Sequence, residues 1–97
     1  MNQPKTSDAA QENQPPDARR RRLYYRSAHR GNKEMDLLLG PYAKTHLPGM
    51  TEAQLDVFEA LLEEDDYLLW DWVVGNKPLS KPEYAAMIEQ LRHQAQR

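Results

Sequence analysis

The chain has 97 residues, which suffices for one domain but not for a core that encloses a deep active-site cavity. Its formal net charge of -2 does not by itself predict a protein that binds nucleic acid or a membrane surface, and the lack of cysteine excludes disulfides and thiolate metal sites. No apolar run has the length of a transmembrane helix and the first residues lack a secretory signal, so we expect a cytoplasmic, bacterial protein with no membrane partner.

Charge is unevenly distributed along the chain. Residues 17–34 contain six arginines and one lysine against two acids, whereas residues 51–72 contain eight acids and neither lysine nor arginine. We therefore expect one basic face and one acidic face.

The first sixteen residues differ in composition from the rest. They are rich in Gln, Asn, Pro and Ser and, apart from Met1, contain no large apolar side chain. Ordering them would cost conformational entropy with no burial to offset it. Residues 1–16 are therefore predicted to be a disordered tail, and residues 17–97 a single helical-bundle domain.

Two helices are predicted next, on either side of a glycine. Asp17 can cap the first, which should run through Arg19 to Arg30 and stop at Gly31, because glycine readily adopts the left-handed conformation found just past a helix end. The second should open around residues 32–34, and Gly40-Pro41 should kink or break it. Apolar residues at i, i+3, i+4 and i+7 give it one buried face: Met35, Leu38, Leu39 and Tyr42.

Helix-start patterns indicate three further helices. Thr51 to Gln54 has the capping-box pattern and should open helix three. Asp65 or Asp66 should cap helix four, which should end at Gly75. Residues 80–83 repeat the capping-box pattern before helix five.

Helices three and five carry apolar stripes, which consist of Leu55, Phe58 and Leu62, and of Tyr84, Met87, Ile88, Leu91 and Ala95. Alternating β-branched runs and hairpin turns typical of strands are absent from the sequence. The sequence therefore predicts an all-α fold, a small bundle of about five short helices.

An arginine stripe lies on the first predicted helix. Four arginines at three- and four-residue spacing share one side of it: Arg19, Arg22, Arg26 and Arg30. Such a stripe can contact phosphates or carboxylates on a partner. The alternative is a solvated face whose arginines pair with acids of neighbouring helices at little energetic benefit. For Arg26 and Arg30, which flank the glycine turn, we favour binding to a partner.

The turn around Gly31 is the strongest candidate site. With no side chain at its apex, another protein's backbone can approach closely, and Arg30 and Glu34 place opposite charges beside it. The alternative is helix punctuation, in which Gly31 stops one helix and Glu34 is a favourable acid in the first turn of the next.

Two tryptophans lie on helix four. Trp70 and Trp72 are about 200° apart around a helix, so they do not both point at one core. The simplest arrangement buries Trp72 and leaves Trp70 nearer the surface, where it is either an interface anchor or a partly covered rim residue.

No pattern typical of catalysis or metal binding occurs in the sequence. Residues 63–66 lack the alternating ligands and central glycine of a calcium loop, and the three histidines have no metal-ligand spacing. Glycine-rich phosphate loops and nucleophile elbows are also missing. We therefore expect a protein that is not an enzyme and holds no cofactor stably.

Residues 26–39 have the pattern Arg-Ser-x-x-Arg-Gly-x-x-Glu-x-Asp-Leu-Leu-Leu, followed by Pro41, an acidic linker, Leu-Trp-Asp-Trp at 69–72 and Lys77-Pro78. This pattern resembles that of the SdhE-type assembly factors of succinate dehydrogenase. The resemblance spans residues 22–92, and its most specific part is Arg-Gly-x-x-Glu placed between two helices.

The resemblance implies a helical factor that binds the flavoprotein subunit of succinate dehydrogenase, and often that of fumarate reductase, and promotes covalent attachment of FAD to a histidine of that subunit. FAD is then the client's cofactor. Arg30, Gly31 and Glu34 match the family's motif and are implied to contact the client. Arg26 matches the family's preceding arginine, and Trp72 its tryptophan.

The main alternative is a small helical nucleic-acid-binding protein that uses the arginine-rich first helix. Such a protein would bind DNA or RNA with strong salt dependence. The acidic composition of helices three and four argues against it, so nucleic acid is not among the partners that we expect.

Overall fold

The computed structural model describes residues 16–96, so the predicted tail lies outside the described residues except for Pro16. The described chain contains five α-helices: α1 Pro16–Ala28, α2 Lys33–His46, α3 Glu52–Leu62, α4 Asp66–Val74 and α5 Ala85–Ala95. Short 3-10 segments, Leu47–Gly49 and Pro82–Tyr84, precede α3 and α5. Residues 16–96 contain no strand, and the predicted all-α bundle of five short helices is confirmed. The division into a tail and one domain stays a prediction.

Helix α1 begins and ends earlier than predicted. Pro16 is its first residue, a position that needs no backbone donor. The predicted cap at Asp17 is therefore wrong, and Asp17 is instead an acid in the first turn. The chain leaves the helix after Ala28, and Gly31 lies in the following turn with φ +92°. Asn32 then caps α2, since its side chain accepts the Met35 amide at 3.2 Å.

A kink or a break was predicted at Gly40-Pro41; helix α2 runs unbroken through both residues, so the break is wrong and the kink stays a prediction. Pro41 lies on the exposed face, where water can donate to the Leu37 carbonyl that loses its helical donor. Gly40 lies on the buried face, and a Cβ there would come 3.3 Å from the Cβ of Ala28. The glycine therefore allows α1 and α2 to pack closely.

The predicted caps of α3 and α4 are confirmed. The Thr51 amide donates to the Gln54 side chain at 2.8 Å, and the Gln54 amide donates to the Thr51 hydroxyl at 3.1 Å. Asp65 accepts two backbone amides of the first turn of α4 at 2.9 and 3.2 Å. Gly75 ends α4 with φ +86°, a conformation that favours glycine.

The second predicted capping box, at residues 80–83, is wrong. No side chain caps this segment, and Pro82–Tyr84 forms a 3-10 turn that is followed directly by α5. Proline favours such a turn because its φ is fixed and it has no amide to satisfy. Ala95 is exposed, because it is the last residue of α5, whereas the rest of the predicted stripe on that helix is buried.

All five helices contribute to one core. The largest fully buried side chains include Leu23, Tyr42, Phe58, Trp72 and Ile88, one from each helix. The apolar stripes predicted for α2 and α3 are buried. Within residues 16–96, none of the helices is both long enough and apolar enough to cross a membrane.

Candidate docking site

Arg30 fixes the turn after α1 against the junction of α3 and α4. Its Nε donates to Asp66 Oδ1 at 2.5 Å. The two terminal nitrogens donate to the carbonyl oxygens of Leu62 and Glu64 at 2.8 and 3.0 Å. The Arg30 amide also donates to Asp36 Oδ1 at 2.6 Å. With its side chain only 12% exposed, Arg30 uses most of its donors inside the protein.

Gly31 and Glu34 are exposed, and together they form what we call the docking corner. A Cβ built on Gly31 would meet no atom within 4 Å, so the glycine is required by its positive φ and not by space inside the protein. Glu34 is exposed in the first turn of α2, and its carboxylate has no hydrogen bond or ion pair with residues 16–96. The corner is therefore open to a partner.

Leu37 extends the docking corner along α2 and was missed by the sequence prediction. It lies one turn after Glu34, on the same side of the helix, and is 65% exposed. A signal for it exists in the sequence. Leu37 falls outside the i, i+3, i+4, i+7 pattern that buries the neighbouring leucines.

A shallow cleft lies beside the Arg30 side chain. Its volume is about 270 Å³, and it is lined by Tyr25, Arg26, His29, Arg30 and Asp66. The rings of Tyr25 and His29 stack with their centroids 4.1 Å apart. His29 Nδ1 lies 3.0 Å from the Tyr25 carbonyl oxygen, which can only accept, so Nδ1 is the donor in this contact. Neither ring was predicted to belong to the site.

Two members of the arginine stripe, Arg19 and Arg26, pair with acids on or next to α3. Helix α3 and the residue that follows it present four acids at three- and four-residue spacing: Glu52, Asp56, Glu59 and Glu63. Arg19 lies within 3.1 Å of the first three of these carboxylates, and the Asp56 carboxylate raises the pKa of Arg19. Arg26 bonds to the last acid and lies 3.6 Å from Glu59. The alternative of pairing between neighbouring helices therefore describes these two arginines.

The two tryptophans are arranged as predicted. Trp72 is 1% exposed, and its ring centroid lies 6.0 Å from that of Tyr84. Trp70 is half-buried and packs against the core. Tyr67, which was not predicted, is 77% exposed one turn before Trp70 and directly after Asp66. Helix α4 thus presents an aromatic surface that begins beside the residue that Arg30 binds.

Glu64 connects the Arg30 contact to the segment before α5. Its carboxylate accepts the Lys81 ammonium at 2.7 Å and the Tyr84 hydroxyl at 2.8 Å, while its carbonyl accepts Arg30. The bond from Lys81, and next that from Tyr84, lowers the pKa of Glu64. Lys81 and Tyr84 therefore fix the α3–α4 junction to which Arg30 binds.

The structure brings together Arg26, Arg30, Gly31 and Glu34 around one turn. It does not bring Trp72 to the surface with them. Their predicted role in binding a partner stays a prediction. Among residues 16–96, no three His, Asp or Glu side chains are grouped so that they could hold a metal ion.

The chain is similar to known proteins over most of its length. Residues 21–95 match the Sdh5 family, described as the flavinator of succinate dehydrogenase. The FAD assembly factor SdhE of Acetobacter pasteurianus is 38% identical over 74 residues, which are 76% of this chain and 68% of that protein. The mitochondrial succinate dehydrogenase assembly factor 2 of Candida glabrata is 47% identical over 60 residues, 62% of this chain and 39% of that protein.

The chain thus spans about two thirds of the bacterial relative and less than half of the fungal one. The family match extends from α1 to the end of α5 and includes the docking corner and the tryptophan helix. This chain therefore belongs to the Sdh5 family, the flavinators of succinate dehydrogenase.

Proposed function

We propose that this chain binds the flavoprotein subunit of succinate dehydrogenase at the docking corner and promotes covalent attachment of FAD to that subunit. The flavoprotein subunit of fumarate reductase is a second proposed client. One observation carries the proposal: the Arg-Gly-x-x-Glu segment uses Arg30 to fix its own turn and leaves Gly31 and Glu34 facing outward.

The proposed mechanism is positioning of the client. Gly31 allows the client's backbone to approach, and Glu34 accepts hydrogen bonds from donors on the client. Because Arg30 holds the turn in place before binding, less conformational entropy is lost on association. Binding then stabilises a client conformation in which the flavin and the accepting histidine are aligned.

In this mechanism the reacting atoms belong to the client and its FAD. The factor is therefore proposed to act without being an enzyme and without holding a cofactor of its own. The exposure of the docking corner supports this, since an exposed turn and helix face suit contact with another protein.

The remaining predicted residues have subordinate roles. Arg26 lines the cleft beside Arg30, and Trp70 gives the client a partly exposed ring on α4. Trp72 acts through the core, where it holds α4 and hence Asp66 in position. Tyr67 and Leu37 add apolar contact area next to these residues.

Neither nucleic acid nor a membrane is a proposed partner, and the proposed location is the bacterial cytoplasm. Arg19 and Arg26 are engaged by α3 carboxylates, which reduces the attraction of α1 for phosphates. The similarity to a bacterial relative over two thirds of that protein's length supports the cytoplasmic setting.

Replacing Glu34 with Ala tests the proposal. We expect covalent flavin on the co-expressed flavoprotein subunit, measured by in-gel fluorescence, to fall about tenfold, because a charge-assisted contact with the client is lost. The variant should fold normally, since the Glu34 side chain bonds to nothing in residues 16–96. Glu83→Ala is the matched control, because Glu83 is an exposed acid in the first turn of the second 3-10 segment.

Two results would count against the proposal. If the wild-type chain neither co-purifies with the flavoprotein subunit nor raises its covalent flavin, the proposed function is wrong. If Glu34→Ala and Glu83→Ala give the same flavin signal as wild type, the function stands but the docking corner is wrongly placed.

A further inference from the structure

A second open surface lies at the other end of the α1–α2 pair. It is a cleft of about 310 Å³ lined by Arg20, Tyr24, Ala43, Lys44, Leu47 and Pro48. Its buried floor consists of Ala43 and Leu47. Its rim carries two cations and the ring of Tyr24, which is partly exposed. We call this surface the basic cleft.

The cations around the basic cleft lack carboxylate partners among residues 16–96. Arg20 donates to the carbonyl oxygens of Leu47 and Met50 at 2.7 and 2.5 Å, so its charge is not neutralised by an acid. Lys44 is exposed and forms no ion pair within the described chain. Arg19 and Arg26, by contrast, are paired with acids on or next to α3. The basic cleft therefore retains positive charge that is available to a partner.

An exposed stripe on α2 connects the docking corner to the basic cleft. Its members follow one another at three- and four-residue spacing: Glu34, Leu37, Pro41 and Lys44. At 1.5 Å per residue the stripe is about 15 Å long, well within the width of an ordinary protein interface. It is acidic at the docking corner, apolar in the middle and basic at the cleft.

We propose that the flavoprotein subunit binds along this whole stripe and places an acidic segment, bearing an apolar side chain, in the basic cleft. This inference rests on the proposed function and assigns a second contact to the same client. The segment's carboxylates pair with Arg20 and Lys44, and its apolar side chain covers the floor.

The apolar character of the surface favours a protein segment over nucleic acid. Phosphates would gain the same electrostatic attraction but would leave the floor and the neighbouring Leu37 uncovered. Because the cleft is continuous with the docking corner, one partner reaches both. The contact in the basic cleft contributes affinity, whereas the docking corner stabilises the client's reactive conformation.

Lys44→Glu tests the inference. We expect its dissociation constant for the purified, FAD-free flavoprotein subunit, measured by isothermal titration calorimetry at low ionic strength, to rise about fivefold, and the salt dependence of binding to weaken. The matched control is Lys77→Glu, the same substitution on an exposed lysine outside the stripe. Tyr24→Ala should weaken binding by a similar factor at low and at physiological salt, because it removes apolar contact.

A flavinylation assay separates the two surfaces. When each variant is added at a concentration that saturates the flavoprotein subunit, Lys44→Glu should give the wild-type yield of covalent flavin, whereas Glu34→Ala should give a lower yield. If the wild-type chain does not bind the subunit at all, the proposed function and this inference are both overturned. If the wild type binds but Lys44→Glu and Lys77→Glu have equal affinities, only the inference is overturned. A competition experiment can also overturn the inference. It does so if, at physiological salt, a single-stranded oligonucleotide displaces the flavoprotein subunit from the wild-type chain but not from the Lys44→Glu variant.

Discussion

Arg30 and Glu34 are four residues apart in one motif, yet their side chains meet different surroundings. Arg30 reaches three acceptors at the α3–α4 junction, which only a planar guanidinium can bond from one position. We expect Arg30→Lys to lower the free energy of unfolding by about 2 kcal/mol, because an ammonium leaves carbonyl oxygens unsatisfied. Urea unfolding followed by circular dichroism measures this.

A substitution of Glu34, by contrast, should have little effect on stability. Glu34→Ala should change the free energy of unfolding by less than about 0.5 kcal/mol, as is usual for an exposed side chain without partners. A stable Arg30→Lys protein, together with a destabilised Glu34→Ala protein, would contradict the division of roles within the motif.

Substitutions of Gly31 and of other glycines separate the effect of backbone strain from the effect on docking. Gly31→Ala should cost about 1 kcal/mol of stability, since φ +92° is unfavourable for alanine. Gly75→Ala, at φ +86°, should cost about the same, whereas Gly49→Ala has neither a positive φ nor a crowded site and should be nearly neutral. Thermal unfolding of the three variants checks the order.

The same three variants report on the docking corner. Gly31→Ala should lower the yield of covalent flavin at a temperature where all three remain folded, because a side chain then stands where the client's backbone approaches. Equal yields for Gly31→Ala and Gly75→Ala would mean that backbone strain alone explains the effect.

At the scale of single helices, α2 contains a proline, Pro41, in its interior, where proline is expected to lower stability. Pro41 removes one helical hydrogen bond, yet the helix continues because Gly40 and the apolar face are buried against neighbouring helices. We expect Pro41→Ala to raise the free energy of unfolding by at least about 1 kcal/mol, as measured by guanidinium chloride denaturation. A loss of stability would show that the proline is needed for the packing of α2.

The helices differ in how much of each could be predicted from the sequence. The caps at Thr51 and Asp65 were predictable because a cap depends on residues two or three positions away. Continuity through Pro41 was not, because packing against other helices overrides local propensity. The 3-10 start of α5 was missed because a proline turn and a capping box share residues 80–83.

The candidate site was predictable only in part, for the same reason. The glycine turn and the exposed acid follow from local pattern, but the acceptors of Arg30 lie 32 to 36 residues away in sequence. The unequal charge distribution was visible in the sequence. That the basic and acidic stripes face each other is a property of the tertiary fold.

At the scale of the whole molecule, buried phenols join helices that are distant in sequence. Tyr42 donates its hydroxyl to Gln90 of α5 at 2.6 Å, and its ring lies 5.8 Å from that of Phe58 in α3. Burial raises the pKa of Tyr42 from 10.0 to about 12. Burial also raises the pKa of Tyr84 to about 12, helped by its bond to the Glu64 carboxylate.

These raised values predict a loss of stability in alkali. Between pH 10 and 12 the unfolded chain releases phenolic protons that the folded protein keeps, so the free energy of unfolding falls as the pH rises. The stabilisation is complete below pH 10 and is lost as the pH rises through about 12, by up to about 1.4 kcal/mol per pH unit for Tyr42. The melting temperature measured from pH 9 to 12 should follow this fall. The melting temperature of Tyr42→Phe should be lower than that of the wild type at pH 9, because the bond to Gln90 is lost, and should then fall less steeply as the pH rises. The melting temperature of Tyr67→Phe should follow that of the wild type, because this ring is exposed.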